Sequence, residues 1–118
     1  MDTLLGLIED IKKSGSLILV EGKKDRKALE KIGIPPKMIY EMTGKYIEKA
    51  VEELRDEKEV LILTDLDPRG RKLYSRLDHY FSQIGVKVDN TFRNFLFKET
   101  NLRQIEGIAT YINNHKNA

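Results

Sequence analysis

Apolar residues recur along this chain in two alternating rhythms. Leu4, Leu5, Ile8 and Ile11 fall at helical spacing, and Gly15 supplies a stop signal after them. Leu17-Ile18-Leu19-Val20 is a short continuous apolar run, the form a strand takes when both sheet faces are covered. Ala28, Leu29 and Ile32 predict one face of a short helix, ended by Gly33 and Pro35-Pro36. Met38-Ile39-Tyr40 predicts a weaker strand, and Thr43 is a candidate cap for a helix carrying Ile47, Ala50, Val51 and Leu54.

Val60-Leu61-Ile62-Leu63 is the second strong apolar run. Leu73, Leu77, Tyr80, Phe81 and Ile84 then predict a helix closed by Gly85, followed by a strand over Val86 to Val88. Phe92 to Phe97 reads as a further strand or an extended arm, rich enough in aromatics to cover a sheet edge or make a dimer contact. The Asn101 and Gln104 pair predicts the start of a last helix bearing Leu102, Ile105, Ile108 and Ile112. Strands alternating with helices predict an α/β fold with a mostly parallel sheet of about four strands and helices on both faces. Right-handed crossovers bring the C-terminal strand ends to one edge, where ligands of such sheets bind. The residues following Val20 and Leu63 therefore carry the most interest.

Composition narrows the chemistry. The chain has 118 residues, 40% hydrophobic and 34% charged, which fits one globular domain over 1–118. No apolar run is long enough to span a bilayer, and Asp2, Glu9 and Asp10 do not suit a signal peptide. A cytoplasmic location is the resulting expectation. Cysteine is absent and there are only two histidines, His79 and His115. Disulfides, thiol nucleophiles and cysteine zinc sites are thereby excluded, and any metal must sit on oxygen ligands. The net charge of +2 hides an asymmetry. Residues 1–67 hold 12 Lys+Arg against 15 Asp+Glu, net −3, whereas 68–118 hold 9 against 4, net +5. A basic second half fits contact with a polyanion, or simply a solvated surface.

The candidate chemistry sits at the two strand ends. Glu21-Gly22-Lys23-Lys24-Asp25 follows the first run, and Thr64-Asp65-Leu66-Asp67-Pro68-Arg69-Gly70 follows the second. If these strands are neighbours, Glu21 faces Asp65 and Asp67, and three close carboxylates call for a cation. A hard cation such as Mg²⁺, with Mn²⁺ as an alternative, suits the donor set and leaves positions for phosphate oxygens. Gly22 and Gly70 would allow close approach of a phosphate, and Lys23, Lys24, Arg69 and Arg71 could hold a nucleic-acid backbone. The same residues admit a plainer reading, in which Asp67 before Pro68 is a helix cap and Asp25 caps its own helix.

Leu-Ile-Leu-Val-Glu-Gly-Lys-Lys-Asp at 17–25 and Leu-Ile-Leu-Thr-Asp-Leu-Asp-Pro-Arg-Gly at 61–70 resemble the two sequence motifs of the Toprim family. The resemblance spans roughly residues 15–90, leaving about 91–118 as a C-terminal extension. It is strongest to small stand-alone Toprim proteins, and next to the Toprim part of ribonuclease M5. It implies a Rossmann-like Toprim fold, Glu21 as a general acid/base with a share in metal binding, and Asp65 and Asp67 as Mg²⁺ ligands. Glu106 is a further acid it brings into view. The implied function is Mg²⁺-dependent nucleic-acid processing, nuclease-like on RNA or DNA. The alternative is a non-catalytic Mg²⁺-dependent module that binds nucleic acid or nucleotide beside a partner protein. A homodimer is a further expected arrangement, and no membrane contact is expected. A topoisomerase or primase role would need domains this chain lacks. A receiver domain would place its acids differently, and a dehalogenase-type phosphatase would not carry Pro68-Arg69 after its Asp pair. No phosphate-binding P-loop or dinucleotide glycine fingerprint occurs.

Overall fold

The computed structural model describes residues 3–115. Its elements run α1 (Leu4–Ser14), β1 (Leu17–Val20), α2 (Lys23–Lys31), β2 (Ile39–Glu41), α3 (Ile47–Glu53), β3 (Glu59–Leu63), α4 (Pro68–Gln83), β4 (Lys87–Asp89), α5 (Thr91–Glu99) and α6 (Ile108–His115). Short 3₁₀ turns at Pro36–Met38 and Ile105–Gly107 precede β2 and α6. The four strands lie in the order β2-β1-β3-β4, all parallel, with Val20 paired to Leu63 and to Glu41.

Both faces of the sheet are covered, which explains the unbroken apolar runs. Ile18, Val20, Leu61 and Leu63 point to one face and pack with α1, α2, α5 and α6 through Ile8, Leu29, Leu96 and Ile108. Leu19, Val60 and Ile62 point to the other and pack with α3 and α4 through Ala50, Leu77 and Phe81. Each strand thus alternates with the two-residue period of a pleated chain, yet every position finds apolar cover. The helix that follows β1 lies on one face and those that follow β2 and β3 lie on the other. Strand order reverses between β1 and β3, so their C-terminal ends flank the crevice.

The glycine stops are seen. Gly15 and Gly85 adopt φ of 71° and 83° after α1 and α4, a region costly for any residue with a Cβ. Among the described residues, no helix is long and apolar enough to cross a membrane.

Three expectations are corrected. Residues Phe92 to Phe97 form part of helix α5, with neither strand nor arm. Phe92 and Leu96, four apart, enter the core on one helical face, and that burial outweighs the strand preference of aromatics. Thr43 does not cap α3. The cap position is Tyr46, while Thr43 sits in a turn closed by a 2.8 Å bond from the Lys45 N–H to the Met42 carbonyl. The last helix begins at Ile108, well beyond Asn101. The backbone before it is otherwise engaged: the Arg103 carbonyl accepts from Leu66 N–H at 2.7 Å, and Ile105 N–H donates to Asp65 Oδ1 at 2.9 Å. Groups spent on the loop after β3 are lost to a helical ladder.

Candidate functional site

The register of β1 against β3 places Glu21 beside the Thr64-Asp65 step. Glu21 Oε2 accepts a hydrogen bond from Asp65 N–H at 2.8 Å. The two strand ends are therefore joined through the carboxylate itself. Asp65 Oδ1 accepts from Ile105 N–H, and Asp67 Oδ1 accepts from Gly70 N–H at 2.7 Å as the cap of α4. Asp67 before Pro68 is thus a helix cap, as its sequence context allows. Asp25, in the first turn of α2, accepts from Gly22 N–H at 3.0 Å through Oδ2. Each of these four carboxylates engages one backbone donor and keeps a second oxygen.

The acids feel one another. Burial, then the charge of Asp65, then Glu21 and Glu106 push the Asp25 carboxyl from its ordinary 3.8 to about 6, against the lowering effect of the Gly22 N–H. Asp65 is raised as well, first by burial and then by Asp67 and Glu106. The Ile105 N–H and the Arg69 charge work against that rise. Glu106 is exposed on the 3₁₀ turn after Arg103, close enough to act on both. Among the described residues, no three acidic or histidine side chains are gathered closely enough to hold a metal ion between them. Mg²⁺ does not require three: it holds several waters and takes one or two carboxylates. The donors are all hard oxygens, and the mutual repulsion of the acids is what a divalent cation relieves. The set fits such an ion in donor type and charge.

The basic candidates lie on two sides of the acids. Lys23 and Lys24 are exposed on the first turn of α2, and Lys24 shares a depression of about 350 Å³ with Lys27, Lys31 and Glu106. Arg69 is exposed on the first turn of α4 and lines a cavity of about 390 Å³ together with Glu21. Arg71, also exposed, lies 5.7 Å from the centre of the Phe97 ring, and Arg103 lies 5.0 Å from the same ring. Phe97, expected to cover a sheet edge or make a dimer contact, thus lies beside two guanidinium groups.

The two glycines differ. At Gly70 a Cβ would stand 2.1 Å from the Asp65 carbonyl oxygen, so this residue is glycine because α4 begins directly against the acidic loop. Its close approach is to the protein's own backbone. At Gly22 a Cβ would rest in ordinary contact, 3.9 Å from Asp25 Oδ2 and from Thr43 Oγ1, so no close approach requires glycine there.

One residue escaped sequence reading altogether. Arg93 of α5 is buried, and its guanidinium donates to the Asp65 carbonyl at 2.8 Å and to Thr64 Oγ1 at 3.3 Å while lying 4.4 Å from the centre of the Tyr74 ring. Thr64, fully buried, donates its own hydroxyl hydrogen bond to the Gly70 carbonyl at 2.8 Å. Arg93 Nε has no partner among the described residues. A buried cation at the foot of the Asp65 loop steadies the loop and offsets part of the charge of Glu21 and Asp65. The available signal was an arginine inside an aromatic run, at a position flanking Phe92 and Leu96.

Comparison with known proteins agrees with this geometry. Residues 16–98 match the Toprim domain. A UPF0292 protein of Methanocaldococcus jannaschii is 35% identical over 95% of this chain and 91% of its own length. Another, from Pyrococcus abyssi, is 32% identical over 91% of this chain and 80% of its own. A protein of Aquifex aeolicus with a solved structure superposes with a TM-score of 0.80 at 36% identity, covering 90% of this chain and 98% of that one. With most of its length matched and the two acidic strand ends side by side, the chain belongs to the Toprim domain family, whose general province is Mg²⁺-dependent, nucleic-acid-related function.

Proposed function

We propose that this protein is a Mg²⁺-dependent phosphodiester hydrolase acting on RNA or DNA. The observation that supports this reading is the Glu21–Asp65 contact, which joins the acids of two strand ends at the reversal of strand order. Asp65 and Asp67 would hold the ion through the oxygens not given to backbone donors, with Glu21 contributing alongside. Mn²⁺ could stand in its place. The ion, when bound, supplies neutralisation of the charge that builds on the phosphate oxygens.

The chain's own residues do the rest. Glu21 spends Oε2 on Asp65 N–H, so Oε1 is the atom available to take a proton from the attacking water. As the new P–O bond forms, the ester P–O bond breaks, and the leaving oxygen takes up the proton that Glu21 accepted, directly or through water. Arg69 and Arg71 on one side, with Lys23 and Lys24 on the other, would seat the flanking phosphates.

A second reading is a Mg²⁺-dependent binding module that cleaves only with a partner protein. It is favoured by the same hydrogen bond, because a carboxylate anchored to the backbone is less free to shuttle a proton. The test is cleavage of labelled single-stranded RNA, structured RNA and DNA with Mg²⁺ or Mn²⁺, comparing wild type with Asp65→Asn. Metal-dependent cleavage lost in the variant supports the hydrolase. Metal-dependent binding without cleavage supports the module. Cleavage indifferent to Asp65→Asn overturns both.

A further inference from the structure

Tyr46 is 82% exposed, the most exposed large side chain of the apolar and aromatic set identified as surface-lying. It occupies the cap position of α3 and makes no capping hydrogen bond there. Serine, threonine, aspartate or asparagine would stabilise that position, and an exposed ring does not. The residue costs helix stability and buries little, so its place calls for another account.

The surroundings supply one. Tyr46 lies on the wall of the cavity of about 390 Å³ that also includes Glu21, Arg69 and Arg76. Arg69 and Arg76 are exposed on α4 and make no ion pair among the described residues. Lys45, on the same wall, is spent on Glu53 at 3.0 Å and on the Tyr40 ring at 4.3 Å. Glu48 is an acid on the rim. The cavity is thus bounded by the proposed reacting carboxylate, two guanidinium groups without partners and an outward-facing aromatic ring.

We propose that this cavity is a nucleotide subsite for single-stranded nucleic acid. An unpaired base stacks on the Tyr46 ring, and its phosphate lies between Arg69 and Arg76 on the way to Glu21. Stacking of this kind needs a base free of its complement and tolerates any base identity. A duplex keeps its bases stacked on one another and cannot offer one to Tyr46. The subsite rests on the phosphodiester reading above, and it names the form of substrate that reading takes: one with an unpaired nucleotide beside the reacting phosphate.

The test is the fluorescence anisotropy of short labelled oligonucleotides with the whole chain, in EDTA and in Mg²⁺. The probes are single-stranded RNA, single-stranded DNA, a strand of abasic residues and a duplex. Tyr46→Ala should weaken single-strand binding roughly tenfold, while Tyr46→Phe, which keeps the ring face, should bind as wild type. The abasic strand should not distinguish Tyr46→Ala from wild type. Arg69→Ala and Arg76→Ala should weaken every strand and flatten the salt dependence. RNA and DNA arms of equal response assign the site to the base and phosphate; a difference assigns a further contact to the sugar. Single-strand binding unchanged in Tyr46→Ala, or absent from wild type, overturns the subsite. A Mg²⁺-induced rise in melting temperature that Asp65→Asn abolishes would still stand in that case, so loss of the subsite and loss of the metal site are separately visible.

Discussion

Glu21 Oε2 and the Asp65 backbone N–H meet at 2.8 Å, joining two residues 44 positions apart in the chain. The bond gives Glu21 a structural role beside the chemical one proposed for it, and substitution can separate the two. Glu21→Gln retains an oxygen acceptor for Asp65 N–H and removes a negative charge. It should fold at least as stably as wild type in EDTA, yet lose cleavage by about a hundredfold or more. Glu21→Ala leaves that N–H without its partner and should cost about 1–2 kcal/mol as well. Urea denaturation and initial cleavage rates on the same preparations measure both. A Gln variant as active as wild type would remove Glu21 from the proton transfer.

Gly70 tests how tightly α4 abuts the acidic loop. The Cβ of Gly70→Ala would fall 2.1 Å from the Asp65 carbonyl oxygen and 2.5 Å from its carbon, both of them backbone atoms. One of the two segments must move. We expect a loss of roughly 2–3 kcal/mol, together with a weakened response of the melting temperature to Mg²⁺. Equal stability in the alanine variant would show that the loop yields easily.

Arg93 should matter more than its distance from the solvent suggests. Arg93→Met removes the bonds to the Asp65 carbonyl and Thr64 Oγ1 and should destabilise the protein by roughly 2 kcal/mol. Arg93→Lys should rescue little, because a lysine ammonium does not reproduce the planar fork that lies over the Tyr74 ring. Thermal unfolding in EDTA and in Mg²⁺ reads the structural loss and the loss of ion affinity together.

Asp25 gives the metal-free protein a pH signature. Its carboxyl is raised in the folded chain from 3.8 to about 6, so the folded state holds a proton that the unfolded state has already released. The contribution of Asp25 to stability is therefore greatest below about pH 4, falls as pH rises from 3.8 to 6, and levels off above. The raised Asp65 works in the same direction. Asp25→Asn keeps an acceptor for Gly22 N–H and loses the titration, so its profile should be flatter. Mg²⁺ should reduce the fall by favouring the ionised acids. Urea midpoints across the window, with and without Mg²⁺, check each statement, and a wild-type midpoint that moves in parallel with that of Asp25→Asn from pH 4 to 6 in EDTA would contradict them.

Much of the architecture was legible in the chain. Leu17–Val20 and Val60–Leu63 are too short for helices and apolar at every position, which only a sheet covered on both faces accommodates. Gly15 and Gly85 mark helix ends because their backbone geometry is one that other residues avoid. Glu21, Asp65 and Asp67 could be singled out because acids directly after buried strands converge on one edge, whatever the details of the loops.

What depended on tertiary structure has a common cause: each feature rests on a partner distant in sequence. Phe92 to Phe97 is a helix because the sheet face beneath it needed Phe92 and Leu96, and local aromatic preference gave way. The helix expected from Asn101 starts instead at Ile108, since Arg103 and Ile105 give their backbone groups to Leu66 and Asp65. Arg93 carries no local signal of its role, which exists only once α5 brings it to the Asp65 carbonyl. Gly70 reads as a phosphate contact until its missing Cβ is seen to face a carbonyl. Local pattern determines which segments become strands and helices, because periodicity and turn chemistry act within a few residues. The pairing of one segment's spare donors with another's acceptors is decided only when the folded chain brings them together.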